Sequence, residues 1–512
     1  MSEHKIKTLD ELSALAGDCR QNGKRVVLCH GMFDLVHLGH IRHFKEARDQ
    51  GDVLFVTTTA DRFANKGPGR PVFPEQLRLE NLAALEVVDY VAICPHPTGV
   101  EAIEAIHPAI YAKGPDYKAE GEDLTGAIVK ERDAVESHGG RIHFTDDLTF
   151  SSSSLLNEHL GALSPKTREF LATFRERTST EKIIADVERA EDLRVLVLGD
   201  AIIDRYTYAE PLGQSGKGSH FVVRRLESEE HAGGAVAVAN HIASFVKDVT
   251  LVSGIGEDDG TGSNFEKFLT DSLRPNVEPM FYRFHNAETV VKERFVDREL
   301  SKYFEVYYFS NQYLSADEED EQVCLWLAEN LPGYDLVVVP DYGNGLITEA
   351  MIDVLTVKAN KLAVNTQINS GNRGYHVVTR YNRADFISLN EPELRLATHN
   401  RRDSIEMLAR QIANDLNAAA ISVTSGPRGL LTFDCADNDF IQIPALSSSV
   451  VDRVGAGDAY LALASICHAA GTPLEIASFV GAAAAALDVQ IIGNQRTIDK
   501  VELFKYITAL MK

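Results

Sequence analysis

The stretch HGMFDLVHLGHIRH, residues 30–43, decides how the first third of this 512-residue chain is read. It grows out of an apolar run of strand length, RVVLCHG (25–31). From Leu38 onward, Leu38, Ile41, Phe44 and Ala47 recur at helical spacing. Strand, glycine turn and helix start therefore follow one another directly. That sequence of elements aims backbone N–H groups and the positive end of a helix dipole at one point beyond the sheet edge, which suits a phosphate. His37 and His40 share one face at the helix start, where two imidazoles can donate hydrogen bonds as negative charge builds on phosphorus. The same pair would suit zinc, but no Cys or Glu stands where further ligands are needed. Phosphate contact is the expectation, with His43 a solvated helix residue.

Working outward, DVLFVTTTA (52–60), YVAICP (90–95) and AIYAKG (109–114) read as further buried strands separated by helical segments. Such alternation predicts an α/β domain on a parallel sheet. Residues 157–190 turn polar and helical, as a connector would, and a new strand, RVLVLGD, opens a second α/β region at Arg194. Within it, PMFYRFHNAETVVKERFVDRELSKYFEVYYF (279–309) is rich in β-branched and aromatic residues and predicts an antiparallel lid sheet. The run VGAAAAALDV (480–489) predicts a closely packed helix. The expected division is a first domain over 1–156, a helical linker over 157–190 and a second domain over 191–512.

Composition narrows the function. Apolar content of 44% and charged content of 25% are those of an ordinary globular protein. With 51 Lys and Arg against 75 Asp and Glu, the net charge of -24 repels polynucleotides and anionic membranes. No nucleic-acid or membrane partner is therefore expected, although a local basic cleft can still hold a small phosphorylated substrate. The six cysteines contain no C-x-x-C pair and read as reduced thiols. No signal peptide is evident and no apolar run reaches the ~18 residues of a membrane span, so a cytoplasmic protein is expected.

GMFDLVHLGH resembles the GxFDxxHxGH signature of the nucleotidylyltransferase superfamily, and further matches cover most of residues 24–156. NKGPGRPV supplies Lys66 and Arg70, PEQLRLENLAALEVVDYV supplies Arg78, and KGPDYK supplies Lys113. SSSSLL (151–156) is similar to the closing Ser/Thr motif, with Ser152 and Ser153 on the nucleotide phosphates. The resemblance implies a Rossmann-like domain in which His37 and His40 are catalytic. Gly31, Phe33, Asp34, Lys45, Lys66, Arg70, Arg78, Lys113, Ser152 and Ser153 would bind the nucleotide. His30 stands where the family usually has Thr or Asn. The reaction needs no dedicated base, because an anionic sugar-phosphate oxygen can attack the α-phosphorus and expel pyrophosphate; positioning and charge neutralisation carry it. Relatives that use CTP commonly carry an Arg before the closing motif, and DDLTFSSSS has none; Lys45, however, is similar to the CTP branch. ATP is expected.

VDRVGAGDAYLALA (451–464) carries the second signature. Gly455, Ala456 and Gly457 leave room for a phosphate at a helix start, and Asp458 can accept the proton of an attacking hydroxyl. GDAIIDRY (Asp200, Asp204), AGGAVAVANHIA (Gly233, Gly234), SLNEPE and VTSGPRGL occur with it in the order of ribokinase-like sugar kinases, over about residues 194–500. The resemblance implies a ribokinase-like α/β domain with a small β lid. Thr424, Gly426 and Gly429 would line its nucleotide pocket, and Asp200, Asp204, Gly233 and Gly234 its sugar site. Asn390 and Glu393 would organise Mg²⁺ through water, although the same spacing also makes a helix capping box. Departures cluster on the acceptor side. Ala237 replaces an Asn, Asn365, Thr366 and Gln367 replace a DPK-like stretch, and Asn344 replaces a Lys. With two cations gone, heptose 7-phosphate is expected to be a poor acceptor.

Together the two domains resemble the bifunctional heptose kinase/adenylyltransferases in reversed order. That implies ATP-dependent phosphorylation of an anomeric hydroxyl, then coupling of the sugar 1-phosphate to a nucleotide. It also implies Mg²⁺, a separate phosphatase where the acceptor carries a second phosphate, and a homodimer. One alternative is a CTP-dependent transferase fused to a kinase for another sugar or polyol. Another is a kinase-like domain kept only to bind a sugar nucleotide and regulate the transferase; the retained Asp458 speaks against that.

Overall fold

The computed structural model describes residues 3–63, 71–114, 127–145, 163–256, 264–284, 288–309, 317–372, 374–447 and 450–512. The chain divides into two compact units, Met1–Ser164 with Phe504–Lys512, and Pro165–Leu503.

The first unit is built on β1 (Val26–Gly31), β2 (Val53–Thr59), β3 (Tyr90–Cys94), β4 (Ile110–Lys113) and β5 (Arg141–Phe144). They form one parallel sheet in the order β3-β2-β1-β4-β5. The apolar runs are continuous because both faces are covered. Leu28 and Phe55 pack with Ala102, Ile103 and Val135 on one face, while Val27, Cys29 and Leu54 pack with Phe44 and Leu79 on the other. Strand order reverses between β1 and β4, and ligands of open α/β sheets bind beyond the carboxyl ends of the strands at such a reversal. The first four strands lie where the apolar runs predict. β5, RIHF, is only half-buried and has no apolar run to announce it.

The second unit contains β6 (Arg194–Leu198), β7 (Ala201–Gln214), β8 (Phe221–Gly234), β9 (Asp248–Gly256), β10 (Val277–Phe284), β11 (Val290–Val296) and β12 (Lys302–Tyr308). It continues through β13 (Leu336–Asp341), β14 (Leu362–Thr366), β15 (Phe386–Asn390), β16 (Ala420–Thr424), β17 (Leu430–Asp434) and β18 (Asp439–Ile443). Nine of these strands make the main sheet, in the order β10-β9-β6-β13-β14-β15-β16-β17-β18, and four make a smaller sheet, β12-β11-β7-β8. The expected lid segment is thus divided. Residues 279–284 belong to β10, an edge strand parallel to β9 in the main sheet. Only β11 and β12 join the small sheet, which is mixed rather than antiparallel because β11 pairs parallel to β7. In that pairing Lys292 lies opposite Asp204 and Glu293 opposite Arg205.

The Ala-rich run is the buried helix Leu474–Asp488. A Cβ on Gly481 would lie 2.9 Å from both the Ala464 Cβ and the Tyr460 ring, so only glycine permits this approach to the helix Ala456–Ala469. The expected connector is no free-standing linker. Its helices, Pro165–Arg177 and Thr180–Glu188, bury Leu171, Phe174, Ile183, Ile184 and Val187 and belong to the second unit. Phe174 meets Phe479 at 4.6 Å between ring centroids, and Arg177 pairs with Glu475 at 2.8 Å. Their polar composition conceals an apolar stripe at helical spacing. Among the described residues no helix is long and apolar enough to cross a membrane.

Candidate active sites

In the first unit β1 ends at Gly31 and the helix Leu38–Asp49 begins one turn later with His37 as its N-cap. Ser, Thr, Asp or Asn usually fills that position; here the His37 ring does so, its Nδ1 accepting the Gly39 N–H at 3.1 Å. The His40 Nδ1 accepts the His37 N–H at 3.4 Å. Both rings are therefore oriented by Nδ1, which leaves the hydrogen on Nε2 in the neutral form. The rings lie 4.0 Å apart between centroids, and the His37 Nε2 is buried without a hydrogen-bond partner. Burial holds the His37 pKa below the ordinary histidine range, so the ring is a neutral donor at pH 7. A buried donor with no protein partner, at a helix N-terminus beside the β1/β4 reversal, is what an incoming phosphate oxygen requires.

The surrounding residues divide into those that shape this point and those placed elsewhere. Phe33 has a φ of 46°, in the left-handed region that bulky side chains rarely occupy. Its ring meets His40 edge-on at 5.5 Å and Phe44 at 5.0 Å, and a Cβ on Gly31 would touch it at 3.0 Å. Phe33 thus packs edge-on against the His40 ring. Asp34 is buried, and its carboxylate accepts the backbone N–H groups of Val72 and Phe73 at 2.8–3.0 Å. It anchors the segment that follows Lys66 and Arg70; those two, with Ser152 and Ser153, lie outside the described residues. Lys113, at the end of β4, is ion-paired with Glu131 at 2.8 Å. Lys45 is exposed further along the helix.

Two expectations are corrected here, for Arg78 and His43. Arg78 is fully buried, and all five of its N–H donors are committed, to the carbonyls of Met32, Phe73 and Thr59, the Thr58 hydroxyl and Asp61. No donor remains for a nucleotide, so it positions the loops around the site. Arg78→Met is accordingly expected to lower unfolding free energy by roughly 2–3 kcal/mol, since buried acceptors lose their partner; urea denaturation checks it, and an unchanged midpoint with weakened nucleotide binding would reverse the assignment. His43 is half-buried and bonds Thr145 at 2.9 Å instead of facing solvent. His30, in the place of the usual Thr or Asn, meets Thr57 at 3.0 Å and Thr59 at 3.4 Å across β2.

The second unit holds a cavity of about 1190 Å³. Gly455 (φ 98°) turns the chain into the helix Ala456–Ala469, and Gly455, Ala456, Gly457 and Asp458 all line the cavity. A side chain is barred at 455 both by that φ and by Asp488, whose carboxylate would lie 2.7 Å from a Cβ. Asp458 accepts the Gln367 Nε2–H at 3.1 Å. Burial pushes its pKa up to about 7; the Tyr342 hydroxyl opposes this, Asp204 adds to it and Lys292 opposes it. A carboxylate so poised is matched to taking a proton near neutrality.

Asn390, Glu393, Thr424, Gly426 and Gly429 line the same cavity. Asn390 and Glu393 close a capping box, each side chain accepting the other's backbone N–H at 2.9 and 2.8 Å. Glu393 also accepts the Ile368 N–H at 3.4 Å, and burial raises its pKa to about 7. The oxygen-only donor set fits Mg²⁺, but with both carboxylate oxygens already accepting N–H groups it fits through water rather than by direct ligation.

Of the residues expected at the sugar site, Asp204 and Gly234 line the cavity, whereas Asp200 and Gly233 are not among its lining residues. Asp200 accepts the Leu346 N–H at 3.4 Å, and burial first, then Asp341, raises its pKa to about 6. Gly233 has no room for a Cβ, which would lie 2.1 Å from the Asp204 carboxylate. Asp204 itself accepts from Arg294 at 2.6 Å and from Asn494 at 2.9 Å. Ala237 is buried in its helix and does not line the cavity.

Sequence reasoning missed the cations here. Lys292 and Arg294 on β11, with Lys302 and Arg453, line the cavity. Lys292 is 9% exposed, and its ammonium lies 5.6 and 5.7 Å from the ring centres of Tyr307 and Tyr342. Burial lowers its pKa, opposed by Asp204, with smaller contributions from Asp200 and Asp458. Lys292, Arg294 and Lys302 thus enter from the small sheet, far in sequence from Asn344 and Gln367, and Arg294 is paired with Asp204 at 2.6 Å and Glu305 at 3.4 Å. The alternation of Lys292, Glu293 and Arg294 carries that signal, with period 2 placing both cations on one face.

Residues 192–500 match the profile of the pfkB family carbohydrate kinases, and residues 28–158 that of the cytidylyltransferase-like family. A protein of Pelobacter propionicus named bifunctional protein HldE is 38% identical over 161 residues, 31% of this chain and 32% of that protein. The Geobacter metallireducens protein of the same name is 39% identical over 143 residues, 28% of each. The matched stretch thus spans about a third of the length of these relatives. The Escherichia coli phosphofructokinase-2 structure in complex with potassium superposes with a TM-score of 0.51 at 19% identity, over 62% of this chain and all of the other, a likeness of fold. The chain belongs to the pfkB family of carbohydrate kinases and carries a cytidylyltransferase-like region ahead of the kinase fold.

Proposed function

We propose that this protein activates a heptose-like sugar in two steps, phosphorylating its anomeric hydroxyl with ATP and then transferring a nucleotidyl group from ATP to the sugar 1-phosphate, with release of pyrophosphate. The observation that supports the reading is that two separate helix N-termini each present one group suited to phosphorus chemistry. In the first unit it is the His37 Nε2, in the second the Asp458 carboxylate.

In the kinase step Asp458 takes the proton of the acceptor hydroxyl as its oxygen attacks the γ-phosphorus of ATP, whose bond to the bridging oxygen breaks to release ADP. The helix start at Gly455–Gly457 receives the charge moving on to the phosphoryl oxygens. Asn390 and Glu393 would hold Mg²⁺ through water, and the ion when bound neutralises phosphate charge. Lys292 and Asp204 would fix the acceptor. In the transferase step the sugar 1-phosphate oxygen attacks the α-phosphorus, and His37 and His40 donate to the oxygens that gain charge.

Mass spectrometry of products from the whole chain with Mg²⁺, ATP, CTP and a panel of sugars, sugar phosphates and polyols tests the reading. An ADP-sugar formed only when both ATP and the unphosphorylated anomer are supplied supports it; a CDP-linked product would replace ATP by CTP in the second step. Lys292→Met should raise the acceptor KM roughly 10- to 100-fold, the scale for losing a hydrogen bond from a charged group, with the ATP KM unchanged. Equal KM values in parent and variant would remove Lys292 from the acceptor site.

A further inference from the structure

On the first unit, away from the histidines of the glycine turn, Glu104, His107 and His138 place one ligand atom each within 4.8 Å of one another. Glu104 and His107 come from the end of the helix Val100–Ile106, and His138 follows the last residue of the helix Ala127–Ser137. We infer that these three side chains form a site for a divalent transition-metal ion of the zinc, cobalt or nickel class, bridging the two helix ends.

Donor chemistry and backbone placement both support it. Two imidazoles and one carboxylate are the ligand types such ions prefer over hard cations, which would want oxygen alone. His107 is held as the helix C-cap with φ 48°, its N–H bonded to the Ile103 carbonyl at 2.8 Å. The Arg20 guanidinium fixes the same turn by donating to the carbonyls of Ile106 and His107. His138 Nε2 and the Glu104 carboxylate are already 2.9 Å apart, and the His107 and His138 rings stack with centroids 3.7 Å apart. Bonds of about 2.0–2.1 Å put tetrahedral donors ~3.4 Å apart. All three side chains are at least partly exposed, so rotation about Cα–Cβ can splay the stacked rings toward a shared ion without displacing backbone. The carboxylate supplies the negative charge that the nearby Arg20 makes necessary. With three protein ligands, water would complete the sphere.

The site is independent of the phosphate-facing pair, whose Nδ1 atoms are spent on backbone N–H groups. Its occupation would tie together the ends of two helices that frame the Lys113–Glu131 pair, since Glu131 lies on the second of them.

Calorimetric titration of chelator-treated full-length protein with zinc, repeated with cobalt for its visible absorption, tests the inference. One ion per chain is expected, with imidazole-type cobalt bands. Loss of an outer partner of a metal ligand already weakens binding about 10- to 100-fold, so His107→Asn and His138→Asn should each weaken zinc by more than roughly tenfold. Glu104→Gln, which leaves both rings in place, should weaken it less. The parent's melting temperature should rise with zinc and that of the double His variant should not. Unchanged stoichiometry and affinity in the double variant would overturn the site, as would zinc lost on substitution of His37 or His40 instead.

Discussion

Replacing His37 or His40 by alanine is expected to slow nucleotidyl transfer about 10²- to 10³-fold, the scale for deleting one donor aimed at developing charge, and to leave phosphorylation by the second unit nearly untouched. Each ring is aimed through its Nδ1, and the His37 Nε2 is buried with nothing to bond. A desolvated donor without a partner is unfavourable in the free protein and is relieved only when an acceptor oxygen arrives. Alanine at 37 also removes the helix cap, an effect of roughly 1 kcal/mol on stability that a melting curve separates from catalysis. Pyrophosphate release and sugar phosphorylation, measured on the same preparations, make the comparison internal. Transfer within a few-fold of the parent would mean that the rings only cap the helix.

Asp458→Asn should lower phosphorylation about 10²- to 10⁴-fold, the range attributed to a positioned general base, while ATP still binds. The substitution keeps the shape and the Gln367 contact and removes the proton acceptor. The acid limb adds a second readout. With its pKa raised to about 7, Asp458 is largely protonated at pH 6 and cannot accept, and it is ionised at pH 8. Phosphorylation should therefore climb through pH 7 and level above it, and the asparagine variant should lack that limb. A variant with parental kcat, or a parent whose rate is flat from pH 6 to 8, would exclude Asp458 as the base.

Much of this arrangement is legible in the sequence, for a physical reason. Strands buried on both faces need unbroken apolar runs, so β1 to β4 of the first unit announce themselves, while half-exposed β5 does not. Glycines at 455 and 457 are tied to a helix start, and the place of Asp458 in its first turn follows from that. Long polar side chains are harder to place, because their reach spans several destinations. Arg78 carries five donors that could serve a phosphate or a buried loop, and only the fold reveals that carbonyls take most of them. Likewise the polar composition of the two helices that bury Phe174 and Val187 against their own domain masks their apolar stripe and reads as a charged connector. The acceptor-side cations escaped because they come from the small sheet, far in sequence from the departures at Asn344 and Gln367.

The parallel pairing of β11 with β7 has a consequence for selectivity. Lys292 and Arg294 face the cavity because Lys292 lies opposite Asp204, while Glu293 between them turns the other way to take hydrogen bonds from Thr207 and Tyr308. Side chains along a strand alternate with period 2, so a slip of one residue exchanges the two faces. Here the exchange would bring a carboxylate in and send both cations out, changing the charge that lines the cavity without altering a single amino acid. Alignment of two backbones thus decides which of the charges on β11 the cavity meets.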